Sequence, residues 1–480
     1  MTCTLPQDSA PLASLPRPTF DFEQFYLGCL AQASYLVGAD GEAAIVDPRR
    51  DVDVYIEEAK ARGLAIRYVI ETHLHADFVS GHRELAERTG ATVLISHRAA
   101  AAFPHQPVKD GDVFRVGGVS LTILETPGHT PESVSIVVRD TRVSETPQVV
   151  LTGDTLFIGD VGRPDLLGSK GITAAHMAGL MYDSLQTKLL TLPDDVLVYP
   201  GHGAGSLCGK NLSKDPFSTI GRQRAANVAL QPMSRDAFIA FLTKDAPETP
   251  RYFPMDVEMN RQGAPALGAV STPTPLSPAA FKAAVRAGAV VLDVRSSAAW
   301  TAGAIPHSLN IGLGGQFASW AGTLLDGGRA IALVAENAET AGEARLRLAR
   351  VGLENVSGWL EGGIEAWVAA GYATEATPQV TVAQLHARLA EKAEALQVVD
   401  VRRPGEWATG HIDGAVHAPL HALEAHAGGL DRELPTYVVC AGGYRSVMGA
   451  EILRELGVRN VIDVAGGMTE WKAQGLPMAV

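Results

Sequence analysis

The sequence predicts a multidomain α/β chain, and three observations carry that expectation. From about residue 20 to 210, short apolar runs alternate with stretches of helical pattern. Residues 263–278, GAPALGAVSTPTPLSP, are rich in Pro, Gly, Ser and Thr and read as a linker. Beyond the linker the chain repeats itself, with VVLDVRSSAAWTAGAIPHSLNI (290–311) similar to QVVDVRRPGEWATGHIDGAVHAPL (397–420). At 480 residues the chain is too long for one ordinary core and suits about three domains.

The apolar runs of the first part are EAAIVDP, IRYVIETH, TVLISH, SLTILETPGH, SVSIVV, QVVLTGD and DVLVYPGH. Each is of strand length and bounded by turn residues. Several end on a histidine or an aspartate, so polar side chains can converge on one rim of a sheet. Residues 211–262 read as mostly helical and then irregular. In the repeat, Asp293 and Asp400, Trp300 and Trp407, and Gly303 and Gly410 all stand 107 apart. GWLEGGIEAW (358–367) and DVAGGMTEW (463–471) match at an offset of 104, so three residues have been lost between. Such a period is too long for a solenoid unit and is the size of a small domain. The domain expectation is therefore 18–262, a linker at 263–278, then 279–375 and 378–480.

Composition excludes several classes. Hydrophobic residues make up 46% of the chain, a globular fraction, and no run of about 18 apolar residues suggests a membrane span. The start, MTCTLPQDSAPLASLP, lacks the basic and apolar regions of a secretory signal. Forty Lys and Arg against 53 Asp and Glu give −13, a field that repels nucleic acid and anionic membranes. Four cysteines, Cys3, Cys29, Cys208 and Cys440, are far apart, which argues against a disulfide framework and fits a reducing cytoplasm.

The segment ETHLHADFVSGH (71–82) sets the functional question. His73, His75 and Asp77 are good metal ligands, yet Phe78 stands where a second ion would want another histidine. His73 is joined at later strand ends by His129 (TPGHT), Asp154 (TGDTLF) and His202 (YPGHG). Two histidines and a carboxylate make a facial set with open positions, the arrangement of non-haem Fe(II) enzymes that activate O₂.

THLHAD, TPGHT and GDTLF resemble the metallo-β-lactamase fold over about residues 20–245. That resemblance implies an αββα sandwich and, in most members, an HxHxDH motif with two metals. The Phe78 departure is similar to the persulfide dioxygenases, which implies one mononuclear Fe(II) per chain on His73, His129 and Asp154. His75, Asp77 and His202 would then stand behind the ligands, orienting them and bonding to bound water. A hydrolase of this fold holds its hydroxide between two metals, whereas O₂ chemistry needs one redox ion with free positions. In FIGDVGRPD (157–165), the resemblance implies that Arg163 helps hold the thiol carrier, pairing with a carboxylate or phosphate; the competing expectation is a surface ion pair. Cys208, soon after His202 in GAGSLCGK, reads either as a sulfur-handling residue or as a buried inert cysteine.

YVVCAGGYRS (437–446) is an apolar strand, a cysteine, a Gly-rich loop and a helix start. Backbone N–H groups around Gly442 and Gly443, the helix N-terminus and Arg445 would favour a thiolate, a persulfide or a bound sulfur anion at Cys440. With DVRRPGEW, GHIDGAVHAPL and GGMTEW, this loop resembles the rhodanese family over about 378–480, which implies sulfur transfer through a cysteine persulfide. Asp400 and Arg402 read as structural. Residues 273–375 resemble the same fold, but ALVAENAETAGE puts Ala335 or Glu336 at the cysteine position and offers no clear counterpart of Arg445. A catalytically silent middle copy is expected.

Together these resemblances imply a persulfide dioxygenase fused to two rhodanese-like domains, of the bacterial sulfide-detoxification type. The implied substrates are a small-molecule persulfide (of glutathione, coenzyme A or a similar thiol), O₂, and sulfite or thiosulfate. Neither nucleic acid nor membrane is expected as a partner, and a homo-oligomer is. The alternatives are a glyoxalase II-like zinc thioester hydrolase fused to a sulfurtransferase, and a non-catalytic persulfide carrier or sensor.

Overall fold

A computed structural model describes residues 15, 17–166, 171–244, 248–269, 273–391 and 395–480, so Cys3 lies outside the described residues. The chain splits into two compact units. One is Met1–Val270 with Ala349–Gly352, and the other is Ser271–Leu348 with Leu353–Val480.

The first unit holds two six-stranded sheets. One runs in order through β1 (Asp21–Leu27), β2 (Gln32–Ala39), β3 (Glu42–Val46), β4 (Ala65–Ile70), β5 (Thr92–Ser96) and β6 (Gln106–Val108). The other runs from β7 (Val113–Val116) through β8 (Val119–Glu125), β9 (Val134–Asp140), β10 (Val149–Gly153) and β11 (Leu197–Pro200) to β12 (Ser218–Thr219). Tyr35, Val37, Val46, Ile123, Ile136, Val138, Leu151 and Tyr199 fill one core between the sheets. The period of two sends alternate residues outward. Leu36 meets the helices Asp53–Ala61 and His82–Thr89, while Val137, Val150 and Val198 meet Ala174–Thr187 and Arg235–Thr243. The result is an αββα sandwich.

All seven apolar runs form strands, but the expected alternation with helices holds only in part. β1–β2–β3 and β7–β8–β9–β10 are antiparallel meanders joined by turns. Their short connections, such as Asp40–Gly41 with positive φ at both residues, leave no room for a helix. Helices intervene only where neighbouring strands are parallel, as between β3 and β4 and between β10 and β11.

The second unit holds two five-stranded parallel sheets with one topology. β13 (Pro275–Leu276), β14 (Val290–Asp293), β15 (Leu309–Asn310), β16 (Ile331–Val334) and β17 (Val356–Leu360) lie in the order β13-β17-β16-β14-β15. β18 (Gln379–Thr381), β19 (Gln397–Asp400), β20 (Val416–His417), β21 (Thr436–Val439) and β22 (Val461–Ala465) lie in the order β18-β22-β21-β19-β20. Part of the stretch read as a linker is therefore ordered. Pro275–Leu276 pairs with β17, and Ser277 caps the helix Pro278–Arg286. No helix among the described residues is long and apolar enough to cross a membrane.

Candidate functional site

Strand ends of the first unit deliver the polar cluster. β4 runs on to His73, β8 to His129, β10 to Asp154 and β11 to His202, and all four side chains are buried. Their backbones approach closely enough to require glycine. Gly153 has φ +48°, and a Cβ there would lie 2.6 Å from Thr72 Oγ1. A Cβ on Gly201 would lie 2.6 Å from Asp154 Oδ1.

His73, His129 and Asp154 each offer a ligand atom within 4.8 Å of the others. Asp154 Oδ2 is 3.9 Å from His73 Nε2 and 3.5 Å from His129 Nε2. Donors sharing one ion at roughly 2.0–2.2 Å stand at about such separations. Both Nε2 atoms are buried without a hydrogen-bond partner, a costly state that a cation would relieve. The rings are fixed from behind. Thr72 Oγ1 lies 2.9 Å from His73 Nδ1, and His129 Nδ1 donates to the Arg163 carbonyl at 2.9 Å. Burial holds both imidazoles below their usual pKa, His73 further because His75 adds to it, so both carry the lone pair a metal needs. The donor set therefore fits a metal with open positions.

His202 has two acidic partners. Its Nδ1 donates to Asp154 Oδ1 at 2.8 Å, and its Nε2 lies 2.8 Å from Asp77 Oδ2. Burial opposes its charge, but Asp154 and then Asp77 raise its pKa well above the ordinary value. Burial likewise opposes the Asp154 charge, and His202 outweighs it, holding that carboxyl far below its usual range. Cys208 is buried, and its sulfur shares a 4.8 Å cluster with Asp77 and His202. Burial, then Asp77 and Asp154, push its pKa well up, so it is a thiol at neutral pH.

Two sequence expectations need correction. Arg163 was expected either to hold a substrate anion or to form a surface pair, and its ion pair is buried rather than on the surface. It is 3% exposed, and it donates to both carboxylate oxygens of Asp165 (2.8 and 2.6 Å), to the Leu207 carbonyl and to Thr249. Its charge is matched by Asp165, two residues on. His75 packs its ring on that of His73 at 4.2 Å, but its Nε2 faces a second acidic group. Its Nε2 lies 3.2 Å from Asp47 and 3.4 Å from Glu71, and these carboxylates lift its pKa to about 9 against burial. The Phe78 ring packs on the His75 ring at 4.3 Å, so it shields this second buried group. Sequence reasoning missed that group: Asp47, Glu71, Ser80 and Asn260. Asn260 donates to the carbonyls of His75 and Phe78 at 2.8 Å and accepts from Ser80 N. Glu71 stood in the quoted motif; Asn260, on the helix Phe253–Gln262, carried no signal.

In the second unit, Cys440 follows β21. Its buried Sγ accepts the Gly443 N–H at 3.1 Å and lies 3.5 Å from Ser446 Oγ. Gly443, at φ +92°, starts the helix Tyr444–Glu455, so the helix N-terminus faces the sulfur. GGMTEW straps this loop from outside. Met468 N donates to the Cys440 carbonyl and Thr469 N to that of Ala441, at 2.8 and 2.9 Å. Arg445, expected to favour a sulfur anion at Cys440, also grips Glu406 with two bonds of 2.7 and 2.6 Å. Asp400 and Arg402 are structural. The carboxylate holds the guanidinium at 2.7 Å, and Arg402 also donates to the Gly410 carbonyl. Asp293, Arg295 and Gly303 repeat that arrangement in the middle copy.

β16 ends at Val334 as β21 ends at Val439, so the cysteine position of the middle copy is Ala335 and not Glu336. At the 107-residue offset, Glu406 corresponds to Ala299. The middle copy thus lacks the nucleophile and the carboxylate together.

A model of the metallo-beta-lactamase superfamily matches residues 27–202, and a rhodanese-like domain model matches twice, at 277–370 and 381–474. A hydroxyacylglutathione hydrolase of Methylobacillus flagellatus is 34% identical over 187 residues, 38% of this chain and 64% of that protein. Human mitochondrial persulfide dioxygenase ETHE1 is 32% identical over 176 residues, 35% of this chain and 63% of that protein. In both, the match spans less than two thirds of the relative's own length. A hydroxyacylglutathione hydrolase of Brucella anthropi is 32% identical over 217 residues, 44% of this chain and 76% of that protein. A crystal structure of a metallo-beta-lactamase from Staphylococcus aureus matches with TM-score 0.64 and 33% identity, covering 71% of this chain and 99% of that one. The two activities among these relatives stand at similar identity, so identity does not choose between them.

Proposed function

Because the chain belongs to the metallo-β-lactamase superfamily and carries two rhodanese-like domains behind that fold, we propose that it oxidises a low-molecular-weight persulfide with O₂ and passes sulfane sulfur through Cys440. The first reaction is RSSH + O₂ + H₂O → RSH + SO₃²⁻ + 2H⁺. In the second, a Cys440 persulfide gives its outer sulfur to sulfite, the S–S bond breaks with its electron pair on Cys440, and thiosulfate leaves. The persulfide belongs to glutathione, coenzyme A or a similar thiol of a reducing cytoplasm.

One observation carries the choice of a single metal. His202 Nδ1 donates to Asp154 and its Nε2 lies 2.8 Å from Asp77 Oδ2, a buried ion pair that a second ion would have to break. Phe78 adds no donor. His73, His129 and Asp154 would hold the one ion. Fe(II) bound there would supply the redox chemistry that O₂ requires. The chain's own residues do the rest. Thr72 and the Arg163 carbonyl aim the two imidazoles, His202 keeps Asp154 ionised, and Leu74, Phe78 and Phe157 keep the surroundings dry.

The second reading is a zinc thioester hydrolase, favoured by the identity to hydroxyacylglutathione hydrolases and by the clustering of Asp77, His202 and Cys208. Oxygen-electrode assays with glutathione persulfide, beside hydrolysis of a glutathione thioester, separate them. The proposal expects O₂ uptake that Asp154→Ala abolishes. Thioester hydrolysis without O₂ uptake would overturn it.

A further inference from the structure

A cavity of about 280 Å³ in the second unit is lined by Gln316 and Trp320 of the middle module and by Arg403, Glu406, Tyr444 and Arg445 of the last. The middle-module wall is built rigidly. Tyr444 Oη donates to the Gly312 carbonyl at 2.8 Å, and its ring lies so close that a Cβ on Gly315 would come within 2.6 Å. Arg347 donates to the carbonyls of Leu313 and Gly315 at 2.7 and 3.1 Å. Segment 312–316 is thus pinned from both sides, and it leads into the helix Phe317–Leu324 that presents Trp320. Across the cavity, the Arg403 guanidinium lies 6.0 Å from the Trp320 ring centroid.

Two guanidiniums and one carboxylate line this space, a net positive site of a size for a compact anion. Arg445 stands in the first turn of the helix that follows the Cys440 loop, five residues on. Yet both of its outer nitrogens are taken by Glu406, in the bidentate geometry with which a guanidinium would hold a sulfur oxyanion.

We propose that the Glu406 carboxylate is a gate that occupies the oxyanion seat on Arg445, and that Gln316 and Trp320 of the silent middle module complete the binding site for the anion that displaces it. The ligand class is a compact sulfur oxyanion of thiosulfate or sulfite size. Glu406 sets selectivity by competition: an anion enters only if it binds Arg445 better than the tethered carboxylate does. The middle module, without a nucleophile, is a wall of the cavity that holds Arg445. This inference rests on Cys440 as the sulfur carrier.

The test uses the full chain with thiosulfate as donor and cyanide as acceptor. The Cys440 thiolate attacks the outer sulfur, the S–S bond breaks, and sulfite leaves with the bonding pair. Cyanide then takes that sulfur as thiocyanate. Glu406→Gln removes the charge but keeps an acceptor for the Arg403 N–H that Glu406 now caps at 3.1 Å. Its KM for thiosulfate should fall roughly tenfold, a change of about 1.4 kcal/mol, with kcat changing by less than about twofold. Trp320→Ala should raise that KM by roughly tenfold. Should Glu406→Gln fail to fold, Glu406→Asp, too short for the bidentate grip, carries the same expectation of a lowered KM. An unchanged or raised KM in the folded Glu406 variant overturns the gate, and an unchanged KM in Trp320→Ala overturns the wall. Cys440→Ser distinguishes these failures from failure of the underlying reading: transfer surviving in Cys440→Ser removes the carrier itself.

Discussion

Gly467→Ala should disable the Cys440 loop while sparing the first unit. Gly467 has φ +53°, and a Cβ there would collide with the Cys440 carbonyl oxygen and lie 2.8 Å from that of Ala441. Both obstacles are backbone, so no side chain can swing clear. Left-handed backbone at alanine costs about 1–2 kcal/mol. Displacing the loop also weakens the bonds from Met468 N and Thr469 N, roughly 1 kcal/mol each. The sum is about 3–4 kcal/mol, and at roughly 2–4 °C per kcal/mol the melting temperature of the second unit should fall about 10 °C. Shifting the loop takes the Gly443 N–H from the sulfur, so sulfur transfer should drop at least about tenfold, while persulfide-dependent O₂ uptake stays at the parent rate. Gly363→Ala in the middle copy is the control. Its φ is +62°, but its Cβ would lie 3.4 Å from the Ala335 carbonyl, so only the backbone term of about 1–2 kcal/mol applies. Calorimetry with a thiocyanate assay reads both. A Gly467→Ala protein melting within about 2 °C of the parent, with full transfer, would refute the reasoning.

Three further outcomes are expected. Arg163→Met should lower stability by about 2–3 kcal/mol, because half-buried Asp165 loses its partner, and urea unfolding reads it; a raised KM for persulfide at unchanged stability would restore the substrate-binding role. Cys440→Ala should still consume O₂ but shift the product from thiosulfate to sulfite; an unchanged thiosulfate yield on chromatography after alkylation would remove the coupled second step. His307, whose pKa Glu455 raises above 6.5, gives stability that is fully present below about pH 6.5 and lost as pH rises through its folded value. His307→Gln should therefore lower the melting temperature slightly at pH 6 and not at pH 9.5, since the pair is exposed and screened; an equal effect at both would show that charge is not the cause.

Much of this was legible in the sequence because it depends on local pattern. His129, Asp154 and His202 converge because β8, β10 and β11 run the same way in one sheet and end on one rim. The internal repeat placed two matching sheets, and the missing cysteine marked the middle copy. What stayed hidden depends on side-chain direction and distant partners. Arg163 looked available because the sequence does not show that Asp165 folds back on it. His75 has the same motif spacing whether it faces the metal or faces Asp47 and Glu71. Asn260 reaches His75 from 185 residues away, a contact no local pattern carries. The meanders were missed because apolar strands look alike whether a turn or a helix joins them.

The central claim is that one redox-active ion sits on His73, His129 and Asp154 and that His202 closes the second position. Metal analysis of anaerobically purified protein, made without added metal, tests it most directly. The account expects one equivalent of iron per chain, lost in Asp154→Ala. Two equivalents of zinc per chain would contradict it.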